Sequence, residues 1–276
     1  MPRPAVTLRM SFLHHIVPLF AASLNGRPAR MLLDTGAGIS ALTPATVRAA
    51  HLPVVPGHVL TLSGPAGSVK VPLVAVRDFR LGSSFSLPVG FADVDLFGAW
   101  HRAVLGAVSG TLGADILSHY DIDLDFPRNR VVLFANPCGA QGRPWAGATP
   151  VRFRLLRGGQ IVLPVTLDGR RVSALLDTGS SLDDMPRSLF QASGLAQTAP
   201  IYLFSTTGHG IGARTYKSEL YRFRKLTIGG ENLRDPIFSV GGLAVGGPYA
   251  IIGENFILRH EIFVSYPTRT LYVRGP

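Results

Sequence analysis

The stretch "MLLDTGAGIS", residues 31 to 40, drives a carboxylate to the end of an apolar run: Met31, Leu32 and Leu33 lead into Asp34, and Asp34 into Thr35 and Gly36. Burying a charge is costly unless something compensates it. The stretch has an echo, "SALLDTGSSL" at residues 173 to 182. Two such segments suggest that each carboxylate is there to answer the other.

Working outward, the likeness extends over an offset of 143 positions, the separation of Asp34 and Asp177 (177 − 34). Leu24 falls on Leu167, Gly26 on Gly169, Arg27 on Arg170, and Leu32–Leu33 on Leu175–Leu176. "IVPLFAASLNGRPARMLLDTG" and "IVLPVTLDGRRVSALLDTG" are therefore two copies of one element. Each reads as strand, Asn-Gly or Asp-Gly turn, strand, a strong short-range hairpin signal. The apolar N-terminal run "SFLHHIVPLFAAS" passes for the hydrophobic part of a signal peptide. The repeat favours the first strand of the hairpin instead, and His14 and His15 in its middle agree.

The echo continues downstream. "LTPATVRAAHL" (42 to 52) and "DMPRSLFQASGL" (184 to 195) both place proline near the start of a short helix, where its missing N–H costs little. Gly-rich turns and alternating strands follow, with hairpins expected around Gly64 to Ser68 and Thr207 to Gly212. Each copy ends on an apolar-Gly pair, a short helix and two strands, with Gly113 matching Gly253 at an offset of 140 (253 − 113). Residues 135 to 150, "ANPCGAQGRPWAGATP", read as a linker. The expectation is all-β: one lobe over 1–134, the linker over 135–150 and a second lobe over 151–276.

Bulk properties fit a globular chain. Of 276 residues 46% are hydrophobic and 16% charged, with 31 Gly and 21 Pro to supply turns. The formal charge of +10 is scattered, with no basic run or basic amphipathic helix, so no nucleic-acid partner is expected. No apolar run reaches the ~18 residues of a membrane span. The single Cys138 excludes an internal disulfide. "DIDLDF" (121 to 126) alternates acids, but an EF-hand would need Gly and Glu where Phe126 and Val132 stand. It reads as the polar face of a strand. "GHGIG" (208 to 212) precedes no helix pattern, the histidines form no paired metal motif, and no cofactor or metal is expected.

The duplicated apolar-apolar-Asp-Thr-Gly, the later apolar-Gly and the closing helix and hairpin resemble the aspartic proteases, and within them the bacterial retropepsin-like group. The chain is similar to a retropepsin dimer fused into one polypeptide, with lobes shorter than a pepsin's. The resemblance implies a bilobal acid-protease fold, two similar β-barrel-like lobes with a cleft between them. It also implies an endopeptidase working as a monomer on polypeptide. Asp34 and Asp177 would be the catalytic dyad, activating a water without metal or covalent intermediate. Thr35 and Thr178 would cross-bond the two loops, Gly36 and Gly179 would allow their tight turn, and Gly113 and Gly253, with Leu112 and Ile252, would pack beneath. Ser180, absent from copy one where Ala37 stands, would donate its hydroxyl to Asp177. Gly64 and Gly67 in one lobe, and Gly208, His209 and Gly210 in the other, are the candidate flap tips. Neither tip has the tyrosine that pepsins use, and Asp183 and Asp184 depart from the family pattern. They motivate an alternative, a catalytically silent peptide-binding protein of the same fold. The resemblance implies substrates with bulky apolar residues on both sides of the cut, and suggests the periplasm as location.

Overall fold

The computed structural model describes residues 5–13, 17–64, 67–82, 87–95, 108–135, 145, 148–209, 215–241 and 248–275. Each half is built on the expected hairpin. Val17–Leu24 pairs with Arg27–Leu33 across Asn25-Gly26, and Ile161–Leu167 pairs with Arg170–Leu176 across Asp168-Gly169. Both turn residues are left-handed in each case, with φ of 50° and 80° in the first and 45° and 80° in the second. That conformation matches the right-handed twist of paired strands and favours Asn or Asp followed by Gly. The turn carboxamide of Asn25 and carboxylate of Asp168 then accept two backbone N–H bonds each, from Arg77 and Asp78 and from Arg224 and Lys225.

The second strand of each hairpin acquires a parallel neighbour from the end of its own half. Gly110–Leu112 runs beside Arg27–Leu33, and Ala250–Ile252 beside Arg170–Leu176. A short strand leaving the Asp-Thr-Gly loop, Ala41–Leu42 or Asp183–Met185, then pairs antiparallel with that neighbour. It pairs in parallel with Leu87–Asp93 or Ile237–Gly241 on its other side. The long hairpins are Val54–Gly64 with Gly67–Leu81, and Ile201–His209 with Thr215–Arg222. The short helices follow the prolines: Pro44–Ala49 begins on Pro44 behind a Thr43 cap, whereas Pro186 sits just outside Arg187–Ala192.

The two lobes merge in one sheet. Its strands run Pro150–Arg152, Thr270–Arg274, Glu261–Ser265, Asp121–Asp125, Arg130–Phe134 and Val6–Leu13, with Phe263 opposite Asp123 at the centre. One apolar core runs continuously through both lobes. A smaller apolar cluster in the first lobe stands apart from it.

Two expectations need correction. The acidic alternation at 121 to 125 does form a strand, but not a solvated polar face. Asp121 and Asp125 are buried, because the other lobe's Glu261–Ser265 adds to that edge. Arg128 and Arg130 ion-pair with Asp125 at 3.2 and 2.8 Å, and Arg128 and Arg274 reach Glu261 at 3.3 and 2.8 Å. The N-terminal apolar run holds two strands rather than one, since Val6–Leu13 precedes Val17–Leu24 and pairs with it. Residues 14–16, Gly210 and most of the expected linker, including Cys138, lie outside the described residues. Of that stretch Trp145 is described, buried with its ring centre 5.6 Å from Phe263. No helix among the described residues is long and apolar enough to cross a membrane.

Candidate active site

The ends of Arg27–Leu33 and Arg170–Leu176 meet where the lobes face one another. Each Asp begins its loop by donating its backbone N–H to the apolar residue before the distant glycine, Asp34 to Leu112 O at 3.0 Å and Asp177 to Ile252 O at 2.9 Å. The two threonines interlock. Thr35 donates its hydroxyl to Leu176 O at 2.7 Å and accepts from Thr178 N at 3.1 Å. Thr178 donates to Leu33 O at 2.7 Å and accepts from Thr35 N at 3.0 Å. Both side chains are fully buried, so these four bonds form in a low-dielectric interior that leaves them no competing water.

That interlock brings the carboxyls together. Asp34 and Asp177 hydrogen-bond to each other. A Cβ on Gly179 would come within 2.6 Å of Asp34 Cγ, and one on Gly36 would collide with the Asp177 carboxyl. Glycine is needed at both places for this close approach of backbone to side chain. The later glycines are equally confined: a Cβ on Gly113 would lie 2.8 Å from the Ile39 carbonyl carbon, and one on Gly253 2.9 Å from that of Leu182. Ala114 N and Glu254 N then donate to Ala37 O and Ser180 O at 2.8 and 2.9 Å, tying each Asp-Thr-Gly loop to the short helix beneath it.

The pair is not symmetric. Burial raises both carboxyl pKa values, because protein atoms surround most of each carboxyl even though both residues stay partly open to solvent. Asp34 is raised well above the ordinary range, the charge of Asp177 adding to burial against two opposing N–H bonds from Ala37 and Gly36. Asp177 is raised by burial too, opposed by the Gly179 N–H that reaches its Oδ1 at 2.8 Å and by the hydrogen bond from Asp34. The Ser180 hydroxyl, expected at Asp177, instead donates to Leu182 O at 2.8 Å. The Ser180 backbone N–H donates to the Asp177 main-chain carbonyl at 3.3 Å, and the short side chain in the turn finds the local Leu182 carbonyl rather than the carboxyl.

Asp183 and Asp184 point to opposite sides of their strand. Asp183 is fully buried and takes the place of Ser40 in the first lobe. There the Ser40 hydroxyl accepts from Gly113 N at 2.9 Å and donates to Asp115 at 2.7 Å. Asp183 accepts from Gly253 N at 2.7 Å, but its second oxygen is buried without a hydrogen bond. Burial pushes its pKa up to about 8, and the Arg259 charge only partly offsets this. Asp184 accepts from the hydroxyls of Tyr216 at 3.0 Å and Ser239 at 3.4 Å and from Met185 N at 2.6 Å; burial raises it to about 6.

Sequence reasoning missed Glu254. It stands where the first lobe has Ala114, is buried, and has its pKa pushed up to about 8 by burial and then by the charge of Asp177. The same 140-residue offset that aligned the glycines contained this signal. Gly64 and Gly67 lie opposite one another at the end of the first long hairpin, and Gly208 and His209 close the described part of the second.

No curated protein matches the chain. A family model described as aspartyl protease matches residues 20–116 and 163–256, one segment around each Asp-Thr-Gly and together well over half of the sequence. The protein belongs to the aspartyl protease family.

Proposed function

We propose that the protein is an aspartic endopeptidase that acts as a single chain, with Asp34 and Asp177 as its catalytic pair. The observation that most supports this is the interlock of Thr35 and Thr178, which holds two carboxyls, one from each lobe, within a hydrogen bond of each other. Two carboxyls so close cannot both ionise, so the pair carries one proton, as is general for this family. Asp177, the less strongly raised of the two, is the base: it takes a proton from a water lying between the two carboxyls. The resulting oxygen nucleophile attacks the peptide carbonyl carbon. Asp34 gives its proton to the carbonyl oxygen as the tetrahedral centre forms; as the C–N bond breaks, the proton now on Asp177 passes to the departing amine and one hydroxyl of the tetrahedral centre returns its proton to Asp34, restoring the singly protonated pair. Thr35, Gly36, Thr178, Gly179 and the backbone of Ser180 keep the pair in register. The two long hairpins serve as flaps that receive an extended polypeptide by strand-like pairing.

The silent peptide-binding alternative rested on Asp183 and Asp184 disturbing the pair. Asp183 bonds to Gly253 and Asp184 to Tyr216, Ser239 and Met185, so no disturbance of that kind supports it. The test is hydrolysis of unstructured protein by Asp34→Asn, Asp177→Asn and the double variant. Each single change is expected to abolish turnover nearly as completely as both, because the carboxyls act as a unit. Turnover retained by either single variant would overturn the shared pair.

A further inference from the structure

The sheet that carries Asp177 has two faces. On one, Met185, Val240 and Ile252 are fully buried in the continuous core. On the other, Leu175, Ile251 and Asp184 lie side by side in register, with Ile251 and Asp184 partly open, and this face leads from Leu175 to Asp177. It continues through Ser239, opposite Asp184, to Leu220, and along that hairpin strand to Ser218 and Tyr216. The bonds from Tyr216 and Ser239 to Asp184 place these side chains together.

The first lobe has the same face with different chemistry. Ala41 stands in the register of Asp184, and its partner Ala92 in that of Ser239. Leu73, opposite Ala92, corresponds to Leu220, which sets Val71 and Val69 in the places of Ser218 and Tyr216. Ala41, Ala92 and Val71 are buried and belong, with Val94, to the small cluster that stands apart from the core, and Val69 packs against it. Four aligned positions are thus apolar on one wall and polar on the other.

The polar wall is also incompletely satisfied. Ser218 is 3% exposed, and its hydroxyl is buried without a hydrogen bond. Asp184 forms no ion pair with a described residue. Its three donors are two neutral hydroxyls and the N–H of the next residue, so one lone-pair site of the carboxylate remains. A carboxylate mostly enclosed by protein and without a cation carries an electrostatic cost that a bound cation would relieve.

We infer that the cleft is chemically two-sided: the first-lobe wall takes an apolar side chain, and the Asp184–Tyr216–Ser218–Ser239 wall takes a lysine or arginine side chain of the same polypeptide. This rests on the endopeptidase reading of the cleft and narrows the expectation of apolar residues on both sides of the cut to one side. Asp184 then sets specificity, with the cation bonding to its free lone-pair site and to the Ser218 hydroxyl.

The experiment profiles cleavage of a randomised peptide library by the full chain. In parallel, it measures binding of fluorescent peptides that differ only in Lys, Leu or Glu at the selected position to the Asp34→Asn variant. Apolar residues should be enriched at one position and Lys or Arg at one position across the cut. Asp184→Ala, which copies Ala41, should lose about 10- to 100-fold in kcat/KM for Lys peptides relative to Leu peptides, the worth of a hydrogen bond to a charged group. Asp184→Asn keeps an acceptor for Met185 N and turns its amide N–H to the Tyr216 hydroxyl oxygen, which can accept, and should show the same loss if Asp184→Ala fails to fold. Apolar enrichment on both sides, or a basic preference untouched by these variants, overturns the inference. If the chain binds peptides without cutting, the endopeptidase reading fails and the Lys-over-Leu ratio in Kd still decides the inference. Absence of both cleavage and binding overturns both.

Discussion

Replacing Asp183 by Asn should make the stability of the protein less sensitive to pH. Asn can still accept the 2.7 Å bond from Gly253 N, so the local geometry survives. What disappears is a proton equilibrium. In the unfolded chain Asp183 ionises near the ordinary value of about 4, whereas in the fold burial holds its proton until about pH 8. Below pH 4 both states are protonated and the residue contributes no pH dependence. Between pH 4 and 8 the unfolded state alone releases a proton, so stability falls as pH rises, by about 1.4 kcal/mol per unit. Above pH 8 both states are ionised and the loss levels off. Four such units set a ceiling of about 5 kcal/mol, comparable to the whole stability of many domains. Relaxation around the carboxyl will reduce this, but half would still be plain. The assay is equilibrium urea unfolding from pH 4 to 8.5, on an Asp34→Asn background to prevent self-digestion. The advantage of Asp183→Asn over its parent should grow steadily from pH 4 to 8 at unchanged m-value. Midpoints that stay parallel across that range would show that Asp183 is not held neutral, and the reasoning would fail.

Thr178→Val keeps the shape of the interlock and removes one hydroxyl, leaving Thr35 N and Leu33 O without their partner. It should cost about 2–4 kcal/mol in unfolding free energy, and lower kcat well beyond what KM changes, read in urea melts and steady-state kinetics; a variant as stable and active as the parent would contradict the role given to the four bonds. Glu254→Gln should leave kcat/KM below pH 7 within about twofold, since the carboxyl is already neutral there. It should move the pH of half-inactivation on the alkaline side upward, because burial and then Asp177 penalise the charge that Glu254 acquires near pH 8; an unshifted alkaline limb would refute this.

Much of this was legible in the sequence, for reasons that can be named. The hairpins and the two Asp-Thr-Gly loops were readable because strand alternation and left-handed Asn-Gly and Asp-Gly turns are local codes. The repeat supplied long-range information that a single copy lacks: it paired Asp34 with Asp177 before any geometry was known. The destination of the acidic strand at 121 to 125 could not be read, because its cover comes from residues 261 to 265 and pairing across such a distance leaves no local trace. The split between Asp183 and Asp184 hinged on strand parity, since one residue of register decides which of two adjacent carboxyls faces the core. Ser180 failed for the opposite reason, having two acceptors within three residues, so that only the turn's dihedral angles choose between them.

The shared sheet has a consequence for how the chain is made. Synthesis delivers the first lobe complete through Arg130–Phe134 while the strand that covers Asp121–Asp125 is still unmade. During that interval Asp121–Asp125 is a bare β edge, the kind of surface on which growing chains aggregate. Charged side chains on an edge strand deter pairing with a stranger. Three aspartates on that edge would discourage such pairing until the partner strand arrives, a temporary guard on the nascent chain. Val264 and Ile262 later settle opposite Ile122 and Leu124, and the guard becomes a buried, arginine-paired seam.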